Sequence, residues 1–230
     1  DYDPDPGQWK SDRLTADCYD GKLIGTLEFS KGEDSVFGYT LQTSFQDVDL
    51  RKFLSDSKMS SGEGDHTTGK MSGSLDIAAR LGDNSTRLGA CKLSIADMQA
   101  GRLSPLSKLL EVLQFREPSK YAFGQMFLDS YIKGDILQVR KLDLSGRSAA
   151  FYGSGLADLR TKKLDLGLIA RGKRHATADP SVIGSLAEGI GSAVVQIEVI
   201  GDFYDPQVIT RPLPFLKETL GIFGIPVEPR

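Results

Sequence analysis

Apolar and polar residues alternate with a period of two along most of the chain, the signature of half-buried β-strands. The clearest case is GKMSGSLDIAARL. Met71, Gly73, Leu75, Ile77, Ala79 and Leu81 fall on one face, and Lys70, Ser72, Ser74, Asp76, Ala78 and Arg80 on the other. Upstream, Leu14, Ala16 and Cys18 share a face, Asp20-Gly21 marks a hairpin turn, and Leu23, Leu27 and Phe29 align on the return strand. Phe37, Tyr39, Leu41 and Phe45 alternate in a third strand. After a Gly82-Asp83-Asn84 turn, Cys91, Leu93 and Ile95 share a face. Further strands are predicted near 122–133, 136–145, 148–158 and 162–171, with turns at Gly134-Asp135 and Ser145-Gly146, and a last one in AVVQIEVIGDF.

Helical spacing replaces alternation in only a few places. Leu50, Phe53 and Leu54 predict a short helix. In LSPLSKLLEVLQF, Ser104 suits an N-cap and Pro105 the first helical position. Leu106, Leu109, Leu110 and Leu113 then form one apolar stripe. Shorter, weaker helices are predicted at 179–190 and 215–223. Residues 1–12, acidic and proline-rich, read as a linker or tether, with Trp9 tacking it to the body. Residues 13–230 read as a single domain. The pattern predicts a mainly β protein of about nine or ten antiparallel strands and a few short helices; without a βαβ rhythm a parallel sheet is not expected.

Composition narrows the function classes. The 230 residues are 40% hydrophobic with a net charge of −3, values of a folded domain rather than a disordered chain or a general nucleic-acid binder. No apolar run is long enough for a membrane-spanning helix. Cys18 and Cys91 are too few for a disulfide framework; a single bridge or two buried thiols both fit. The chain begins at Asp1 rather than Met, which predicts that it is a piece of a longer protein.

No motif carries catalytic chemistry. GDHTTGK at Gly64–Lys70 approaches a phosphate-binding loop, but Met71 stands where a magnesium-binding Ser or Thr belongs, and a strand follows instead of a helix. Ser55-Asp56-Ser57-Lys58 fits the acyl-serine SxxK pattern without its partner motifs. His66 adjoins Asp65 with no nucleophile elbow, and His175 sits in another polar loop; with the two cysteines they match no zinc spacing. Asp76, Asp143 and Asp165 fall on polar strand faces, where solvation explains them. Arg160, Lys162, Lys163, Arg171, Lys173 and Arg174 gather around one predicted hairpin, as a charged turn or as a contact for an acidic surface such as a membrane. Asn84-Ser85-Thr86 fits a glycosylation acceptor.

The informative feature is distributed. Several long strands each carry one greasy face, and few helices are available to cover them. Leu75, Ile77, Leu93, Ile95, Leu142, Leu144, Leu164, Leu166, Val195, Ile197 and Val199 are the candidates for lining a shared apolar surface. Two packed sheets would close such faces; one strongly curved sheet would leave an apolar trough. The leucine-striped helix at 105–115 is the candidate lid. A non-enzymatic acyl-chain binder and a structural β-domain, closed by its own helices or by a partner chain, both fit; an enzyme fits least.

Particular segments resemble the C-terminal region of AsmA-like proteins, the bridge-like lipid-transfer family of the AsmA, TamB and YhdP type. LTADCYDGKLIGTLEF is similar to the family's strand–turn–strand signature. Gly69, Gly73, Gly89, Asp97, Gly101 and Leu103 hold positions of its paired strands and following leucine-rich helix, with Gly101 displaced by a few residues. Phe151, Gly153, Gly155, Leu159, Leu164 and Leu166 fit a later strand pair, and Gly201, Asp205 and Pro206 the closing motif. The resemblance spans about residues 12–210 and includes no catalytic position; the family's N-terminal membrane anchor has no counterpart here. It implies a taco-shaped β-groove holding phospholipid or another acyl-chain lipid, no cofactor, a place in the periplasm or cell envelope as part of a longer membrane-anchored protein, and a membrane-surface or envelope protein as further partner.

Overall fold

The computed structural model describes residues 7–32, 34–56, 67–99, 123–146, 149–172 and 194–212. Eleven antiparallel strands form a single open sheet in which every strand pairs with its neighbours in sequence, from β1 at one edge to β11 at the other. They are β1 (Gln8–Cys18), β2 (Gly21–Lys31), β3 (Phe37–Asp49), β4 (Thr68–Arg80), β5 (Asp83–Gln99), β6 (Gln125–Lys133), β7 (Ile136–Ser145), β8 (Ala149–Asp158), β9 (Lys163–Gly172), β10 (Val194–Asp202) and β11 (Pro206–Pro212). One short helix, α1 (Leu50–Asp56), follows β3. No second sheet packs on the first among the described residues; apart from α1 on β3 and β4, the substantial element contacts all join hydrogen-bonded neighbours.

Two-residue turns close three of the hairpins, β1–β2, β4–β5 and β6–β7. Cys18 pairs with Gly21, so the first turn is Tyr19-Asp20, both at positive φ (50° and 62°), one residue earlier than the Asp-Gly dipeptide predicts. Gly21 serves another purpose: a Cβ there would meet the Val48 backbone nitrogen at 2.6 Å. Gly134-Asp135 closes β6 to β7 as predicted, with Lys133 paired to Ile136. Asp49 accepts a hydrogen bond from the Lys52 backbone N–H at 3.2 Å, capping α1. Leu50 and Leu54 are buried in the same cluster as Val48 and Met71, so α1 covers part of the sheet's apolar face near the ends of β3 and β4.

The sheet starts inside the stretch read as a tether. Gln8, Trp9, Lys10 and Ser11 pair with Ser30, Phe29, Glu28 and Leu27. The stretch is polar because β1 is an edge strand, where charged side chains and a bulge guard unpaired backbone. Trp9 does tack it down, its ring 5.6 Å from that of Phe29. The strand count also exceeds the expected nine or ten. β11 lies where the chain is proline-flanked, and Pro206 and Pro212 sit at its two ends. Predicted helices at 105–115, 179–190 and 215–223 lie outside the described residues.

Candidate functional site

Residues paired across an antiparallel ladder project to the same face, so register decides which strands contribute to a common surface. Following the pairings from β2 to β6 gives Leu27–Leu41–Ile77–Gly89–Ile132, then Gly25–Thr43–Leu75–Cys91–Ser130, then Leu23–Phe45–Gly73–Leu93–Leu128. The last row continues through Leu142, Gly153, Leu168 and Ile197 on β7 to β10. Its neighbour runs Ile95–Met126–Leu144–Phe151–Ala170, and the backbone of Val195 pairs with Ala170. Leu164, Leu166 and Val199 fall in the same set of rows. The structure therefore brings the groove candidates into one register frame. It adds neighbours that periodicity had not singled out for the surface, above all Phe151, Met126 and Leu128.

This continuous apolar face is closed over β7 to β10 and at the α1 end of β3 to β5, where Val48, Met71 and Ile95 are buried, and is more open along the rest of β2 to β5. On β7 to β10 it is dry: Leu144 and Phe151 are 1% exposed and Ile197 is fully buried. On β2 to β5, Leu23, Leu27, Phe29, Leu41, Phe45, Leu75, Ile77 and Leu93 are all half-buried. Trp9, Phe29 and Tyr39 form an aromatic ladder there, with ring centroids 5.6 and 6.5 Å apart.

Glycines show which way the sheet bends. At Gly25, Gly73 and Gly153, all strand-interior and on the apolar face, an added Cβ would collide with a neighbouring strand's backbone oxygen: Gln42, Lys92 and Gly167 respectively. Phe45 leans to within 2.9 Å of that position at Gly73. Gly38 and Gly167, on the opposite face, have room. Crowding on one side only is what curvature toward the apolar face produces, and it is where side chains must be small. Eleven strands about 4.8 Å apart give the sheet a breadth of roughly 48 Å measured along its surface.

Polar groups on the apolar face are satisfied. Thr43 Oγ1 donates to the Leu75 carbonyl at 3.0 Å, and Ser130 Oγ to the Cys91 carbonyl at 3.1 Å. Cys18 and Cys91 are free thiols on β1 and β5, with three strands between them. Burial pushes the Cys91 thiol above its ordinary value. Because the thiolate is the reactive form, alkylation of Cys91 is expected to be slow at neutral pH. Its rate should climb only as pH passes the ordinary thiol range, more steeply than for a cysteine peptide in the same buffer, as intact-mass kinetics would show.

The basic cluster separates. Arg160 and Lys162 occupy the β8–β9 turn with Lys163, whereas Arg171 is at the far end of β9, about 27 Å away at the usual rise per residue. Lys162 stacks over Tyr204 at 5.3 Å, and Arg160 Nε approaches Asp135 at 3.7 Å. Lys173 and Arg174 lie outside the described residues, as do both histidines, Asp65, Lys58 and the candidate lid leucines. Thr67 is buried and Thr68 already opens β4, so the end of the GDHTTGK stretch enters a strand. Among the described residues, no group of three His, Cys, Asp or Glu is placed to hold a metal, and no helix is long and apolar enough to cross a membrane.

No protein-family model, curated protein or solved structure matches the chain.

Proposed function

We propose that this chain is a non-enzymatic lipid-binding or lipid-transfer module that holds acyl chains in its curved sheet. The observation that carries the reading is the half-buried stretch of the apolar face over β2 to β5, continuous in register with the dry core of β7 to β10. Each methylene removed from water contributes about 0.8 kcal/mol, so one acyl chain along such a surface binds without any catalytic group. The resemblance to AsmA-like proteins supports the same reading and adds phospholipid as cargo and the bacterial cell envelope as the setting.

The closed half of the sheet favours a second reading, a structural β-domain whose apolar face is filled by the protein itself or by a partner chain. Mass spectrometry of a solvent extract from the purified protein separates the two. Co-purifying phospholipid at a fixed ratio to protein is the expected result. Lipid-free protein that also fails to take up a fluorescent phospholipid from vesicles would overturn the lipid reading in favour of the structural one.

A further inference from the structure

The opposite face of the sheet carries a feature that the trough does not explain. Phe127 on β6 pairs with Asp143 on β7, which pairs with Tyr152 on β8. The three residues therefore stand side by side on the polar face, with the Asp143 Cβ about 5 Å from the Cβ of each aromatic residue by ordinary cross-strand spacing. They line a cleft of about 330 Å³ together with Ser94, Ile95, Ala96, Gln125, Met126 and Ser145. Phe127 and Tyr152 are 36% and 42% exposed on the sheet's solvent face. Asp143 is half-buried and forms no ion pair with any described residue, although Asp129, two residues after Phe127 on β6, is held by Arg140 at 2.5 Å.

We infer that this cleft is a binding site for a small organic ammonium cation, recognised by the Asp143 carboxylate and the faces of Phe127 and Tyr152. Aromatic rings attract cations through their quadrupole, and quaternary ammonium groups are bound by such walls because they are large, weakly hydrated and unable to donate a hydrogen bond. An anion is disfavoured by the carboxylate. A hard metal ion would need several more oxygen ligands than one carboxylate, two serines and one glutamine provide. The surface already uses this chemistry internally: Lys141 Nζ stacks on Phe127 at 5.2 Å, outside the cleft lining, and Arg140 stacks on Tyr131 at 4.4 Å. The volume is at the lower end for small-molecule pockets and ample for an alkylammonium group. The three recognising residues, Phe127, Asp143 and Tyr152, are on the face opposite the trough.

The test is titration of the full chain with tetramethylammonium chloride against sodium chloride at equal ionic strength, followed by NMR of the Phe and Tyr ring protons. Saturable shifts confined to Phe127 and Tyr152 are expected, with a Kd of about 1 mM. Asp143→Asn and Tyr152→Ala should each weaken binding about tenfold, while Tyr152→Phe, which keeps the ring, should bind within about twofold of the parent. Unchanged circular dichroism of the variants reports an intact sheet. No saturation, or equal binding by Asp143→Asn, would overturn the assignment; so would loss of binding in Tyr152→Phe. Co-sedimentation with phosphatidylcholine vesicles, competed by tetramethylammonium and absent with phosphatidylglycerol vesicles, would name a lipid headgroup as the ammonium source. Saturable binding without co-sedimentation would name a free ammonium compound.

Discussion

Replacing Phe151 with alanine should lower the free energy of unfolding by about 3–5 kcal/mol, the range for deleting a large ring from a core that cannot collapse around the void. Phe151 is 1% exposed, packs edge-on against Phe123 at 5.4 Å, and shares its face with Leu144 and Ala170 on either side. Ile169, one residue from Ala170 in β9, points to the other face and is exposed. Ile169→Ala should therefore cost under about 1 kcal/mol, the span of strand propensity without core packing. Urea unfolding of the two variants compares the faces directly. A larger loss at Ile169 than at Phe151 would put the core on the wrong side of the sheet.

Strand content was legible because alternation is a local property. Leu164, Leu166, Leu168 and Ala170 share a face by counting alone, and β9 places them as the count predicts. Register was not legible, since it depends on bulges. In β7 the apolar phase slips between Val139 and Leu142, an odd spacing that should flip the face. A bulge at Arg140-Lys141 absorbs the slip and keeps both residues on the apolar side. Phe45 and Val48 are held together in β3 the same way. The glycines of the apolar face were visible as letters, but their crowding needs the neighbouring strand. The same holds for the carboxylate between two rings on the opposite face. Asp143 looks like any solvated strand aspartate until pairing sets Phe127 and Tyr152 beside it.

A charged pair in the open part of the trough should abolish lipid occupancy and leave the fold standing. Leu41 and Ile77 are cross-strand partners, with Leu27 beyond Leu41, and all three are half-buried. Leu41→Asp with Ile77→Asp leaves both carboxylates reachable by water, so the free protein hydrates them and the cost to folding is limited. An acyl chain lying on that row would have to strip the water away, and a carboxylate desolvated without a partner costs several kcal/mol. Losing the contact of even two methylenes, about 1.6 kcal/mol, already weakens binding more than tenfold. The expected result is at least a tenfold fall in co-purifying lipid, with the circular dichroism spectrum unchanged and a urea midpoint still in the folded range. Ser44→Asp is the matched control, because Ser44 is exposed on the opposite face between Ile24 and Ser74; its lipid content should equal that of the parent. Lipid retained in the double variant would exclude the β2–β4 row as the acyl-chain path. Outright unfolding would show instead that this row is core, as the structural reading requires, since only a buried surface is destroyed by two charges.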